Sequence, residues 1–233
     1  DLDDAAIEAA SELEIGYKLK YSNLICNQRV LHAALTGSIA TVVYCALEPI
    51  MSLRLLDYNL TDGQTGSIFG IQPLTYALST ILVPYIVPKW VEGRVIMITN
   101  LMILGVVTTM IGPFFEELNL VVMMIALALS GFCMGFLYIP NMSEMMKGTK
   151  EKHPEADLDH ANSLLSGMLN AGFGTGMAIG PLLGSYLYQV TNFRETMDII
   201  GIISCAYAII YLLCARGCHA YLQTFRNFAN RNK

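Results

Sequence analysis

Six long apolar stretches recur along the chain, near 30–53, 65–87, 95–113, 119–141, 161–189 and 195–215, with short polar breaks between them. A hydrocarbon core about 30 Å thick is crossed by about 20 such residues in a helix, so each stretch predicts a transmembrane helix. The breaks hold Asp57, Asn59, Asp62 and Gly63; Pro88, Lys89, Glu92 and Gly93; Glu116, Glu117 and Asn119; a charged loop from Lys147 to His160; and Thr191 to Glu195. This pattern predicts an all-α membrane protein in three parts. Residues 1–29 form a cytoplasmic linker or surface helix, 30–215 the six-helix bundle, and 216–233 a basic amphipathic tail.

Composition agrees with the pattern. With 54% hydrophobic and 14% charged residues and a mean hydropathy of +0.49, a soluble domain of this size would be coated in apolar surface, so a lipid bilayer is the expected solvent. The net charge of −5 adds little, because the acids crowd into the first 14 residues and the loops. Nothing in it suggests nucleic acid. The chain opens Asp-Leu-Asp-Asp with no initiator Met, which points to a processed or truncated product, and its acidic start is no signal peptide. The six cysteines show no metal-ligand spacing and read as reduced thiols filling apolar gaps.

The basic residues set an orientation, since Lys and Arg are retained on the cytoplasmic side during insertion. Twelve of the fourteen fall on the side shared by both ends: Lys18, Lys20, Arg29, Lys89, Arg94, Lys147, Lys150, Lys152, Arg216, Arg226, Arg231 and Lys233. Only Arg54 and Arg194 fall opposite. Both termini and the Lys147–His160 loop are therefore expected to be cytoplasmic, or on the equivalent side of an organelle. Asn59-Leu60-Thr61 is an N-glycosylation triplet on the other side. In the tail, Tyr221, Leu222, Phe225 and Phe228 stand at helical spacing among basic residues, which suits a helix on an anionic leaflet or a plain juxtamembrane extension.

Within the spans, polar residues are expensive and carry the candidate chemistry. Glu48 lies in Ala46-Leu47-Glu48-Pro49. An acid beside a proline, which removes a backbone donor, suggests a cation or proton site. The alternative is a shallow Glu48 paired with Arg54. In the second span, Gln72-Pro73, Tyr76 and Pro84 offer either a pathway lining or a packing kink. The fourth span presents Gly131 and Gly135 for close helix approach, then Tyr138, Asn141 and Glu144. Glu144 is expected at the cytoplasmic interface, screened by Lys147. The fifth span places Gly172, Gly176, Gly180 and Gly184 four residues apart, a ridge free of side chains on which another helix can pack, with Asn170 before it and Pro181 to bend it.

These residues resemble the C-terminal half of the major facilitator superfamily, and more narrowly its vesicular amine transporter branch, over nearly all of 30–215. Leu47-Glu48-Pro49 is similar to that branch's Leu-Glu-Pro, and Gly176-Met-Ala-Ile-Gly180-Pro181-Leu-Leu-Gly184 to its glycine-rich segment; Asp198-Ile-Ile-Gly201-Ile-Ile matches as well. The resemblance implies twelve helices in two halves, with solute bound at midplane between them. It also implies that the fifth span packs on the other half through its glycine ridge. Three positions depart from the branch: Asn170 stands where it has an aspartate for proton coupling, Lys147 where it has another acid, and Trp90 at the acidic position of a loop motif kept only as Gly93-Arg94. An Asn cannot cycle a proton near neutral pH.

The sequence therefore predicts the C-terminal half of a secondary transporter for a small organic, cationic solute. Glu48 is the cation or proton site, and Gln72, Tyr76, Tyr138 and Asn170 are candidate lining. Pro49, Gly131, Gly135, Gly172, Gly176, Gly180, Pro181 and Gly184 serve packing or gating. The expected partners are the bilayer, the solute, and an N-terminal six-helix half or a partner subunit. The rival reading is a degenerate half-transporter kept as a structural membrane subunit. With no zinc-ligand cluster, nucleophile motif or paired intramembrane carboxylates, no enzyme activity, cofactor or metal is expected.

Overall fold

The computed structural model describes residues 19–87, 91–112, 119–215 and 217–231. The acidic segment 1–18 and the loop residues Lys89, Trp90, Glu116 and Glu117 lie outside these. The described residues form α1 (Tyr21–Ile25), α2 (Gln28–Leu56), α3 (Asp62–Ile86), α4 (Gly93–Ile111), α5 (Asn119–Lys152), α6 (Leu158–Val190), α7 (Phe193–Cys214) and α8 (Gly217–Arg231).

Local chemistry sets the helix starts. Asn27 Oδ1 accepts from the Arg29 N–H at 3.2 Å, and Asn192 Oδ1 from the Glu195 N–H at 2.9 Å. Thr61 and Gln64 form a reciprocal capping box, satisfying backbone donors that have no partner within the helix. The turn after α2 passes through Asn59 at φ 49°, a left-handed conformation that Asn tolerates. One boundary differs clearly from the sequence reading: α5 does not stop near residue 141 but runs to Lys152. Residues 142–152 are mostly Met, Glu and Lys, good helix formers whose charge marks departure from the hydrocarbon, not the end of the helix.

Five of these helices, α2, α3, α4, α5 and α7, are long and apolar enough to cross a membrane. α6 has the length, 33 residues, but its glycines and polar residues dilute its hydropathy. It runs parallel to α2, in contact with it from Gly172 to Gly184. The result is an all-α membrane bundle. Its interior is built by α2, α4 and α5, where Ala40, Leu101, Leu104, Met134 and Leu137 have no exposed surface. α3 and α6 are buried on one face only, leaving Leu74, Ile81 and Tyr85 of α3 and Met177, Leu182 and Tyr186 of α6 exposed. Apolar faces of this size need lipid or another helix against them.

Small residues bring three helix pairs to backbone distance. Gly131 and Gly135 of α5 lie against Gln72, Thr75 and Ser79 of α3, and Gly105 of α4 meets Gly201 and Cys205 of α7. The third pair corrects the sequence reading of the glycine ridge. Gly172, Gly176, Gly180 and Gly184 pack on α2 of the same bundle, facing Ser38, Thr41, Val42, Cys45 and Ala46 in turn. A Cβ at Gly176 would sit 2.7 Å from the Ser38 carbonyl oxygen, and one at Gly180 2.8 Å from Cys45 Cβ. The ridge is thus internal packing between the first and fifth spans and does not face a second membrane body. Four-residue spacing shows that something packs closely; it does not say what.

Candidate functional site

A cavity of about 620 Å³ opens between α2, α3, α5 and α6, and Thr41, Tyr44, Cys45, Glu48, Tyr76, Tyr138, Phe173 and Met177 stand on its wall. Thr41, Tyr44, Cys45 and Glu48 come from one face of α2, three to four residues apart. Glu48 is exposed and also reaches a smaller cavity of about 90 Å³ shared with Tyr44, Phe69 and Gln72. α2 continues unbroken through Pro49. The proline nevertheless withholds the N–H that would otherwise serve the Cys45 carbonyl, which leaves a second electron-rich oxygen one turn from the carboxylate.

Tyr138 ties the walls together. Its ring meets Tyr76 of α3 edge-on with centroids 5.7 Å apart, and Phe173 of α6 at 5.0 Å. Its hydroxyl lies 2.9 Å from Thr41 Oγ1, which itself donates to the Gly37 carbonyl at 2.8 Å. Since the threonine hydroxyl has one hydrogen, Tyr138 is the donor of the pair. Gln72 is buried and donates through Nε2 to Ser130 Oγ at 3.0 Å, so it fastens α3 to α5 while touching the smaller cavity.

A separate charged cluster closes the end of the bundle that carries α1. Glu144 has no exposed surface and lies 2.6 Å from Arg29 Nη2 and 3.1 Å from Arg94 Nε. Arg29 also pairs with Glu151 and approaches Glu92 at 3.8 Å. Arg94 Nη1 donates to the Ala215 carbonyl at 3.1 Å, linking the start of α4 to the end of α7. Gly93 admits this arrangement, since a Cβ there would stand 2.9 Å from Glu144 Oε2.

Residues 33–219 match the profile of the Major Facilitator Superfamily. The chain belongs to the major facilitator superfamily. Two curated members are similar to it. MFS-type transporter SLC18B1 of Homo sapiens is 30% identical over 180 residues, 72% of this chain and 38% of that protein. Its namesake from Mus musculus is 27% identical over 165 residues, 67% and 35% of the two chains. The chain thus spans little more than a third of the length of these relatives. Members of this superfamily are membrane transporters, and both relatives carry that name.

Within this major facilitator fold, the expected site residues separate. Glu48, Tyr76 and Tyr138 share the larger cavity, and Gln72 joins Glu48 at the smaller one. Asn170 does not join them: it is exposed on α6, two residues and so about 200° around the helix from Gly172, which the ridge turns toward α2. The screening expected for Glu144 and the alternative pairing of Glu48 are both replaced. Glu144 is held by Arg29 and Arg94 instead of Lys147. Arg54 turns from Glu48 to Asp57 at 2.9 Å and to the Tyr58 ring, 5.3 Å from its centroid. Thr41, Tyr44 and Phe173 were not singled out from sequence. Tyr44 had a visible signal, standing one turn before Glu48; Phe173 had none, being one aromatic within an apolar run.

Proposed function

We propose that this chain is the C-terminal half of a secondary transporter that carries a small organic cation by alternating access, with Glu48 as the cation site. The observation that carries the reading is the placement of Glu48 in a cavity walled by Tyr44, Tyr76, Tyr138 and Phe173. A carboxylate attracts a cation, and aromatic faces add about 0.5–2 kcal/mol each through their quadrupoles, more as the site loses water. The curated relatives, named as transporters of this superfamily, support the reading at the level of class.

The partner in this proposal is an N-terminal six-helix half seated on the sparsely buried side. With the α6 ridge committed to α2, the narrow face left for it is on α3, where Gly63, Gly66 and Gly70 have no neighbour within 4 Å. The distribution of Lys and Arg supports placing both ends and the 153–157 turn on the cytoplasmic side. Reconstitution of the full-length protein in liposomes tests the reading. Saturable uptake of tetraethylammonium, with none of the uncharged solute mannitol, is the expected result. A folded protein that moves neither would favour the structural-subunit reading.

A further inference from the structure

One residue beside the cavity breaks the rule that buried polar groups are paired. Asn141 of α5 has no exposed surface, and neither its Nδ2 nor its Oδ1 has a hydrogen-bond partner among the described residues. Such a side chain is costly in a bundle interior, where an apolar side chain of the same branched shape leaves no donor or acceptor unpaired. Groups that break a packing rule in this way are found where another conformation or a ligand supplies the missing partner.

The surroundings show what hides it. Gly37 of α2 leaves a hollow into which two side chains fit: a Cβ at Gly37 would stand 2.8 Å from Phe173 Cε1 and 2.9 Å from Asn141 Nδ2. Phe173 also lines the cavity and packs on Tyr138, so one ring touches both the solute space and the hollow that holds the amide. Asn141 itself follows Tyr138 by three residues and precedes the buried Glu144 by three, on a single slowly turning stripe of α5. That stripe leads from the cavity to the charged end of the bundle.

We propose that Asn141 is a second solute-contacting group, covered by Phe173 in this conformation and uncovered when the Phe173 ring turns out of the hollow at Gly37 while the α6 ridge stays on α2. In the open form its amide oxygen faces the ammonium of a solute moving along the α5 stripe, one step beyond Tyr138. The proposal rests on the reading of the cavity as a cation site and extends it to a second conformational state.

Two measurements on the full-length protein test it. In membrane vesicles and a background without native cysteines, Asn141→Cys should react with the small cationic reagent 2-aminoethyl methanethiosulfonate. Leu101→Cys, equally buried between α4 and α7, should not. Adding Phe173→Ala should raise the Asn141→Cys rate about tenfold, as expected when packing that favours the closed state is lost. An Asn141→Cys as inert as Leu101→Cys, with or without Phe173→Ala, overturns the proposal. Asn141→Leu should then keep or raise the melting temperature while cutting tetraethylammonium uptake at least about tenfold. Unchanged uptake would make Asn141 a structural residue only and would also overturn the proposal. If the wild-type protein takes up no cation, the cavity reading fails separately, and the labelling result still decides whether Asn141 becomes uncovered.

Discussion

Gly176→Leu is expected to destroy the six-helix body itself. Gly176 is buried, with the Ser38 carbonyl oxygen and Thr41 Cβ each 2.7 Å from where its Cβ would stand. One of these neighbours is backbone and cannot rotate away, so α2 and α6 would have to separate along their length. Overpacking a well-fitted interior costs about 1–3 kcal/mol, and a whole leucine against a carbonyl belongs at or above the top of that range. Separation also forfeits dispersion contacts that nothing replaces in lipid, where no hydrophobic force drives one helix onto another. Gly174→Leu supplies the control, because its position has no neighbour within 4 Å. Size-exclusion profiles in mild detergent after graded heating should show Gly176→Leu aggregated at temperatures where Gly174→Leu and wild type stay monodisperse. Equal profiles for all three would mean that the α2–α6 contact is not what holds the bundle.

Removing Glu144 should have the next largest effect. Its carboxylate lies within ion-pair distance of two arginines, Arg29 and Arg94, which join α2 and α4 to α5. Breaking a buried pair costs about 3–5 kcal/mol, most of it from leaving the opposite charge without compensation. Here Glu144→Ala leaves two such charges, although Glu92 and Glu151 remain near Arg29 to soften the loss. Lys147→Ala, by contrast, removes an exposed lysine with no ion pair among the described residues and should change stability by less than about 0.5 kcal/mol. Thermal melts of the two variants should therefore differ widely. Similar midpoints would return Glu144 to the surface role that its spacing from Lys147 suggested.

These two cases mark how far the sequence could be read. Apolar runs located the helices because burying backbone in lipid demands long uninterrupted stretches, whereas the capping box of Thr61 and Gln64 that starts α3 emerged only from the structure. The ridge from Gly172 to Gly184 was equally plain as a feature, yet its partner depended on the rotation of α6, which no local pattern encodes. That rotation also leaves Asn170 exposed and turns Phe173 to the cavity. The partners of Glu144 were hidden for a different reason: Arg29 is 115 residues away, and only the folded topology brings the two together. Lys147, three residues off, was the visible choice and the wrong one. Glu48 was legible because an acid in an apolar span is conspicuous, and Tyr76 and Tyr138 as polar aromatics within the spans, whereas Tyr44 and Phe173 joined them only once four helices converged.

The central claim, that this half contributes a cation site built on one carboxylate, is tested most directly by uptake of tetraethylammonium into liposomes containing the full-length protein with Glu48→Gln. Glutamine keeps the shape and some hydrogen bonding but removes the charge. Glu48 has no hydrogen bond or ion pair among the described residues, so the fold should be unaffected. The account predicts that saturable uptake falls by at least about tenfold, the loss expected when roughly 1.4 kcal/mol or more of charge recognition is removed, while the elution profile and melting temperature match wild type. Uptake at the wild-type rate and affinity by a folded Glu48→Gln protein would contradict it.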